Sequence, residues 1–260
     1  MSDKKRLFLL DAFALIFRGY YAFIKNPRIN SKGMDVSAIL GFTNSLLDVI
    51  KREKPDHIAV CFDRGGSVAR KEAFPDYKAN RQETPEAIKI AVPYIEKILA
   101  AMNIPAVIKE GFEADDIIGT LAKQAEKEGY QTFMVTPDKD FAQLVSENIF
   151  MYRPRFGGGY ETWGIKEVQE KFGVERPEQV IDFLGMMGDA SDNIPGLPGV
   201  GEKTAKKFLA AYGSMENLLA NTADLKGKLK EKVEASKELG ILSKELATIM
   251  LDVPVEFHEE

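Results

Sequence analysis

The sequence contains very little cysteine and histidine. Cys61 is its single cysteine among 260 residues, and only two residues are histidines. One thiol excludes an internal disulfide framework and a thiolate zinc site, and apolar neighbours predict that Cys61 is a buried core residue. His57 opens a predicted strand and His258 lies near the end of the chain, so we assign neither a catalytic role.

Long hydrophobic runs are also missing from the start of the chain. The first ten residues contain one apolar run, residues 7–10, which follows three basic residues. This run is too short for the core of a signal peptide or for a membrane span. We therefore expect a soluble, cytoplasmic protein with no membrane partner.

An excess of positive charge is absent as well. The formal net charge is -5, from 35 Lys+Arg and 40 Asp+Glu. Nine of the acids form the clusters described below, and without them 31 acids face 35 bases, a balance of +4. The acidic total therefore does not exclude a nucleic-acid partner, although an ordinary scatter of surface charge explains it equally well.

Short apolar runs alternate with segments of helical periodicity. The predicted strands are Arg6–Leu10, His57–Phe62, Ala106–Ile108, Gln131–Thr136 and Ile149–Tyr152. The predicted helices lie near residues 12–24, 36–52, 85–101 and 114–128. This alternation predicts an α/β fold with a mostly parallel central sheet and helices on both faces.

The character of the sequence changes after Tyr152. Residues 153–159 form a basic, turn-rich strip, and helical periodicity follows it. We expect an α/β core over residues 1–160 and a helical region over residues 161–260. A long surface hairpin within one domain is the alternative.

Nine carboxylates in small clusters are the strongest functional signal. They are Asp11, Asp63, Glu113, Asp115, Asp116, Asp138, Asp140, Asp189 and Asp192. Carboxylates that are brought together repel one another, so a protein that collects them normally holds divalent cations there. Hard metals such as Mg²⁺ or Mn²⁺ and a phosphodiester substrate are therefore indicated.

The positions of these acids support a common site. Asp11, Asp63 and Asp138 lie at or just past predicted strand ends, and ligands of parallel sheets bind along that edge. Helix capping could explain each aspartate alone. Three acids within residues 113–116 exceed what one helix start requires, whereas the spacing of Asp138 and Asp140 is also common in solvated turns.

Two basic segments could contact nucleic acid. Residues 64–81 mix five basic residues with Phe74 and Tyr77, which suits single-stranded nucleic acid but also a flexible charged loop. Residues 196–204 resemble a P-loop, but Glu202 breaks the signature and no strand precedes it. A hairpin that offers glycine amides and lysines to a phosphate explains this segment better than a plain connector does.

Together these residues resemble the structure-specific 5′-nuclease (flap endonuclease) family, most closely the N-terminal 5′-nuclease domain of bacterial DNA polymerase I. The resemblance covers nearly the whole chain. The motifs that carry it are Val60–Asp63, Phe74–Arg81, Glu113–Gly119, Thr136–Asp140 and Gly188–Ala205. Ala12, Phe13 and Pro137 depart from the family pattern, but none of them replaces a carboxylate.

The resemblance implies metal-dependent hydrolysis of DNA at 5′ flaps and at junctions of single and double strands, with two or more Mg²⁺ or Mn²⁺ ions. Asp11, Asp63, Glu113, Asp115 and Asp116 would hold the first metal, and Asp138, Asp140, Asp189 and Asp192 the second. Residues 64–90 would form a helical arch in which Lys78 and Arg81 face the reacting phosphate.

The resemblance also implies a helix-hairpin-helix-type DNA-binding motif over residues 188–212, which often holds K⁺. The expected DNA contacts are Arg70, Tyr77, Gly199, Gly201, Lys203, Thr204, Lys206 and Lys207. Tyr77 could stack on a base or simply pack under the arch. If the chain is a fragment, a covalently linked polymerase would be a partner, and the location would be the nucleoid of a bacterial cytoplasm.

Three other functions fit parts of the sequence. A haloacid-dehalogenase-type phosphatase also uses an aspartate after its first strand, but it needs a second one where Phe13 stands. A non-catalytic DNA-binding module has little reason to keep nine carboxylates. A related RNase of the same superfamily usually lacks the hairpin.

Overall fold

A six-stranded sheet organises the chain, in the order β3-β2-β1-β4-β5-β6. The computed structural model describes residues 4–155 and 157–259. The strands are β1 (Arg6–Asp11), β2 (His57–Phe62), β3 (Ala106–Ile108), β4 (Gln131–Val135), β5 (Ile149–Pro154) and β6 (Tyr160–Trp163). The first five strands are parallel, and β6 pairs antiparallel with β5. The predicted mostly parallel sheet is confirmed.

Eleven helices accompany the sheet in the described residues. They are α1 (Ala12–Ala22), α2 (Ser37–Glu53), α3 (Val68–Ala73), α4 (Glu86–Ala101), α5 (Ala114–Lys127), α6 (Ile165–Phe172), α7 (Val180–Met187), α8 (Glu202–Tyr212), α9 (Met215–Ala220), α10 (Gly227–Ala235) and α11 (Lys237–Ala247). Short 3₁₀ turns lie at Lys139–Leu144, Pro177–Gln179 and Thr222–Asp224. None of these helices combines the length and apolar character that a membrane span requires.

Alternate residues of β1 enter two different cores. Leu7 and Leu9 belong to a core that also contains α5 and the C-terminal helices, whereas Phe8 and Leu10 pack with α1, α2 and α4. This division follows from the period of two in a strand, which sends successive side chains to opposite faces. Helices therefore cover both faces of the sheet, as predicted, and the C-terminal helices share a core with α5.

The hairpin between β5 and β6 lies at the expected domain boundary. Arg153 pairs with Glu161 and Pro154 with Tyr160 across the antiparallel strands. The sheet therefore continues to Trp163, and the boundary expected at residue 160 falls at the start of its last strand. Helical structure begins only at Ile165. Residues 153 and 154 of the basic strip belong to β5, and residues 157–159 directly precede β6, an arrangement that fits the alternative of a surface hairpin.

Helices α1 and α2 touch at two glycines. Gly19 and Gly41 are both buried, and a Cβ atom added to Gly41 would lie 2.3 Å from the Gly19 Cα. No side chain fits at that distance without separating the helices. This contact fixes α1, which begins at the end of β1, against the rest of its layer.

We predict that Gly41→Ala lowers the free energy of unfolding by about 1–3 kcal/mol, because the added methyl group forces the two helices apart. Urea unfolding followed by circular dichroism measures this effect. Asn44→Ala, at an exposed position of the same helix, is the control and should change stability by less than about 0.5 kcal/mol. Equal stability of the two variants would contradict the close contact.

Candidate active site

Two neighbouring strands deliver aspartates to one edge of the sheet. Asp11 is the last residue of β1, and Asp63 follows β2 directly. The two Asp11 oxygens accept hydrogen bonds from the Ala14 backbone N–H and from the Thr136 hydroxyl, each at 3.1 Å. Asp11 is therefore both a helix cap and a site residue. Sequence analysis missed Thr136, whose position directly after β4 is the signal that could have identified it.

Three acids cluster at the start of α5. Glu113, Asp115 and Asp116 each offer an oxygen, and these oxygens lie within 4.8 Å of one another. Glu113 and Asp116 also form a capping box, in which the Asp116 carboxylate accepts from the Glu113 N–H at 3.2 Å. In the described residues, this trio is the one group of three potential ligands with such close oxygens.

Arg70 occupies the space beside this trio. Its guanidinium donates to both Asp116 oxygens, at 2.8 and 2.7 Å, and to Glu113 at 3.1 Å. It also donates to the backbone carbonyls of Leu246 and Thr248. Only 4% of Arg70 is exposed. The expected contact of Arg70 with DNA is therefore wrong for this structure, because its charge is already paired in the interior.

Tyr77 is buried as well, with 4% of its surface exposed. Its hydroxyl donates to Glu113 Oε2 at 2.9 Å. The ring therefore has no open face on which a base could stack, and the alternative of plain packing describes this residue. Tyr77 joins Arg70 in orienting the Glu113 carboxylate.

Two cationic side chains lie between the α5 acids and the loop before α8. Lys78 Nζ is 2.6 Å from Glu113 Oε1 and 3.6 Å from Asp192 Oδ2, and Arg81 pairs with the other Asp192 oxygen. Burial disfavours the charged form of Lys78, but the negative charges of Glu113, Asp192 and Asp115 outweigh this effect and raise the pKa of the lysine. Lys78 therefore remains protonated at neutral pH.

The segment around Lys78 is fixed to the loop that carries Asp192. The Lys78 N–H donates to the Asp192 carbonyl at 2.9 Å. The side-chain amide of Asn80 donates to the Ala190 carbonyl, and that of Asn193 donates to the Asp76 carbonyl. The segment expected to form an arch, residues 64–90, contains the short helix α3, then turns that contact this loop, and then the start of α4.

A second acidic group surrounds Lys139. Its Nζ lies 3.1 Å from Asp140 Oδ1 and also pairs with Asp189. Asp138 is exposed and caps the 3₁₀ turn that contains Asp140. The structure thus brings two of the four expected acids, Asp140 and Asp189, to one lysine, while Asp138 caps the adjacent turn and Asp192 faces Lys78 and Arg81. Sequence analysis missed Lys139, although it stands between two of the predicted ligands.

Burial raises the pKa of several of these acids. Desolvation raises the pKa of Asp11 to about 6, with further contributions from Asp138 and Asp63. Desolvation and the charge of Asp138 raise the pKa of Asp140 to about 7. The pKa of Asp115 is well above its usual range because of burial and the charges of Asp116 and Glu113. In their ionised forms these three acids therefore lack the solvation that would stabilise their charge, which favours a bound cation.

The ligand atoms of these acids suit hard divalent cations. All are carboxylate oxygens, the ligands that such ions prefer. Asp63 and Asp115 each keep one oxygen without a hydrogen-bond donor among the described residues. Asp116, by contrast, accepts from Arg70, from Glu113 and from the Met250 N–H. We assign it to orientation of the site.

The loop before α8 forms the expected hairpin between helices. Gly188 and Gly196 have positive φ, and a Cβ added to Gly196 would lie 2.5 Å from the Gly188 nitrogen. Gly201 is the N-cap of α8, and Lys203 and Lys207 are exposed near its start. Gly199 is exposed and Thr204 half-buried. Lys206 differs, because it pairs with Glu202 at 2.9 Å and donates to the Lys171 carbonyl at 2.8 Å.

Comparison with protein families divides the chain into two parts. Residues 6–173 match the family described as "5'-3' exonuclease, N-terminal resolvase-like domain", and residues 175–260 match "5'-3' exonuclease, C-terminal SAM fold". The two matches meet after α6, later in the chain than the boundary expected at residue 160.

Solved structures with a similar fold include T5 5′-exonuclease with bound zinc, with a TM-score of 0.77 and 23% sequence identity. The T5 D15 flap endonuclease, in a pseudo-enzyme-product complex with DNA and metal ions, has a TM-score of 0.75 and 23% identity. Each similarity covers 94% of this chain and 89% of the other. At this level of identity, they support the fold.

Curated relatives are much closer in sequence. DNA polymerase I of Bacillus subtilis (strain 168) is 44% identical over 259 residues, and that of Bacillus caldotenax is 43% identical over 256 residues. The matches cover 98% and 97% of this chain but only 29% of each relative, so the chain spans less than a third of their length. The chain belongs to the 5′-3′ exonuclease family and is homologous to the N-terminal part of bacterial DNA polymerase I.

Proposed function

We propose that this 5′-3′ exonuclease domain hydrolyses DNA phosphodiesters at 5′ flaps and at junctions of single and double strands, using divalent metal ions. The observation that carries this proposal is that cationic side chains and carboxylates lie together at one place. Lys78 and Arg81 lie directly against the carboxylates of Glu113 and Asp192. Such a site can hold both cations and a phosphate.

Two groups of residues would hold the metal ions, which we propose are Mg²⁺ or Mn²⁺. The first group is Asp11, Asp63, Glu113 and Asp115, with Asp116 fixed beside them by Arg70. The second group is Asp138, Asp140 and Asp189, and Asp192 lies between the first group and the second. When bound, such ions stabilise charge on the phosphate oxygens and lower the pKa of a coordinated water.

Lys78 and Arg81 supply the remaining positive charge. Because Lys78 is protonated, it can donate a hydrogen bond to a phosphate oxygen but cannot accept a proton. We therefore assign both residues to charge stabilisation in the transition state. Their exposures differ, since the side chain of Lys78 is 15% exposed and that of Arg81 is 52% exposed. Arg81 is therefore the easier of the two for DNA to reach.

The hairpin is proposed to hold the duplex. Gly199, Gly201 and the first turn of α8 present backbone N–H groups, and Lys203 and Lys207 add positive charge next to them. Phosphates bind readily at such a helix start. Bound K⁺ at the hairpin, a covalently linked polymerase and a bacterial cytoplasmic location remain predictions.

The alternative functions fit the structure less well. Phe13 stands where a dehalogenase-type phosphatase needs its second aspartate, and its ring packs edge-on against Phe62. A DNA-binding module without catalysis would gain nothing from buried acids of raised pKa. The assay described next, repeated with an RNA–DNA hybrid, tests for the related RNase.

We predict that Asp63→Ala and Asp115→Ala each lower cleavage of a 5′-flapped DNA in Mg²⁺ by about 10²-fold or more, while binding stays measurable. Each change removes a carboxylate that has a free oxygen for a metal. A gel assay with mapped product ends measures this. Glu128→Ala, at the other end of α5, is the control and should cut normally. Undiminished cleavage in excess chelator would refute the metal requirement.

We predict that replacing Lys203 and Lys207 together by alanine weakens duplex binding and lowers the salt dependence of log K by about two, because two phosphate contacts are lost. Fluorescence anisotropy at several salt concentrations measures the slope. The control replaces Lys51 and Lys127, which lie at helix ends that precede β2 and β4 and hence at the opposite edge of the sheet. If both double variants show the wild-type slope, the hairpin is not part of the DNA surface.

We predict that Asp11→Asn stabilises the metal-free protein at pH 8 by on the order of 1–3 kcal/mol. The pKa of Asp11 rises from 3.8 to about 6 on folding, so its ionised form costs stability as pH rises through this window. Asparagine removes that cost and can still cap α1.

Urea unfolding of both proteins in chelator at pH 4 and pH 8 measures the effect. At pH 4 the folded wild-type carboxyl group is already protonated, so the advantage of the variant should vanish there. A gain of the same size at both pH values would show that charge burial is not its cause.

A further inference from the structure

A cavity of about 440 Å³ opens beside the second acidic group. Its lining residues are Pro137, Asp138, Lys139, Arg153, Trp163 and Lys171. They come from the turn after β4, from the hairpin of β5 and β6, and from the end of α6. We call it the Trp163 cavity. Neither Trp163 nor Lys171 has a role in the function proposed above.

The charges around the Trp163 cavity favour an anion. Three of its lining residues are basic and one is acidic; Lys139 is already paired with Asp140 and Asp189, so Arg153 and Lys171 supply the positive charge. Arg153 donates to Glu161 at 3.3 Å, but Arg155 shares the same carboxylate at 3.2 Å, so one acid serves two arginines. Lys171 is exposed and makes no ion pair in the described part of the chain. Its ammonium group is therefore available to a ligand.

The aromatic wall of the cavity argues for a phosphate and against a stacked base. The Arg153 guanidinium lies over the Trp163 ring, 3.9 Å from its centroid. It also donates to the Pro137 carbonyl at 3.0 Å. One ring face is thus already covered, and the arginine is held rigidly in position. What the wall offers to a ligand is positive charge.

The location of the cavity connects two proposed DNA contacts. Its lining includes Asp138, in the second acidic group. It also includes Lys171, whose carbonyl accepts the hydrogen bond from Lys206 of α8. DNA that occupies the catalytic acids and the hairpin together would pass this cavity.

We propose that the Trp163 cavity binds a backbone phosphate of the duplex between the catalytic acids and the hairpin. Lys171 makes the contact, and the Arg153–Trp163 pair forms the positively charged wall. This inference rests on the proposed function, because it takes DNA as the substrate. It adds a third point of duplex contact, which would fix the direction of the helix relative to the active site.

Lys171→Ala tests the proposal, with Lys166→Ala as its matched control on the same helix. The Lys166 side chain is 80% exposed and lies 3.9 Å from Glu170. Anisotropy titrations in chelator, over roughly 50–200 mM salt, measure the binding of a short DNA duplex without cleavage. Lys171→Ala should lower the magnitude of the slope of log K against the logarithm of the salt concentration by about one, and it should weaken binding several-fold. Lys166→Ala should match wild type, and Lys171→Arg should restore the slope.

Three results would overturn the proposal. These are an unchanged slope for Lys171→Ala, an equal loss for Lys166→Ala, or the same loss on a single-stranded oligonucleotide as on the duplex. Flap cleavage by the wild-type protein is measured in parallel. If wild type cuts and the Lys171→Ala slope is unchanged, the cavity proposal fails while the nuclease function stands. If wild type does not cut in Mg²⁺, the proposed function fails by itself.

Discussion

The ion pair between Arg70 and Asp116 is the contact on which the candidate active site depends. Both side chains are almost fully buried, and the guanidinium meets both carboxylate oxygens. A buried pair of this kind contributes little net stability, but loss of one partner leaves an uncompensated charge that costs about 3–5 kcal/mol. Asp116 also accepts the Met250 N–H, so this pair connects α3, α5 and the C-terminal segment. Through Glu113, it also orients the acids at the start of α5.

The C-terminal segment is part of the same arrangement. Thr120 of α5 bonds with Met250 and Val253, and Gln124 of α5 bonds with Val255 and Phe257. The segment therefore runs along α5, and its Met250 N–H reaches Asp116 at the start of that helix. Burial there raises the pKa of Asp115, because water no longer solvates its charge. The packing that orders the site therefore also raises the free energy of its ionised acids.

Much of this arrangement could be predicted from the sequence. The period of the apolar residues predicted the strands. Because the carboxyl ends of parallel strands lie at the same edge of a sheet, Asp11 and Asp63 could be predicted to lie together. Arg70 and Tyr77 could not be assigned correctly, because a basic or aromatic residue outside a clear apolar pattern can point either to solvent or inward. Only the fold shows that Glu113 and Asp116 are close enough to receive them. Lys139 was missed for the same reason, since its partner Asp189 is far away in the sequence.

The cations of the protein compensate its acids only in part. Lys78 lies between Glu113 and Asp192, and Lys139 lies between Asp140 and Asp189. Even with these lysines present, burial keeps the pKa of Asp140 near 7. The folded site therefore favours any added positive charge, while the lysines that hold its acids in place also carry the charge that attracts a phosphate. One set of ion pairs thus prepares the site for both the metal and the substrate.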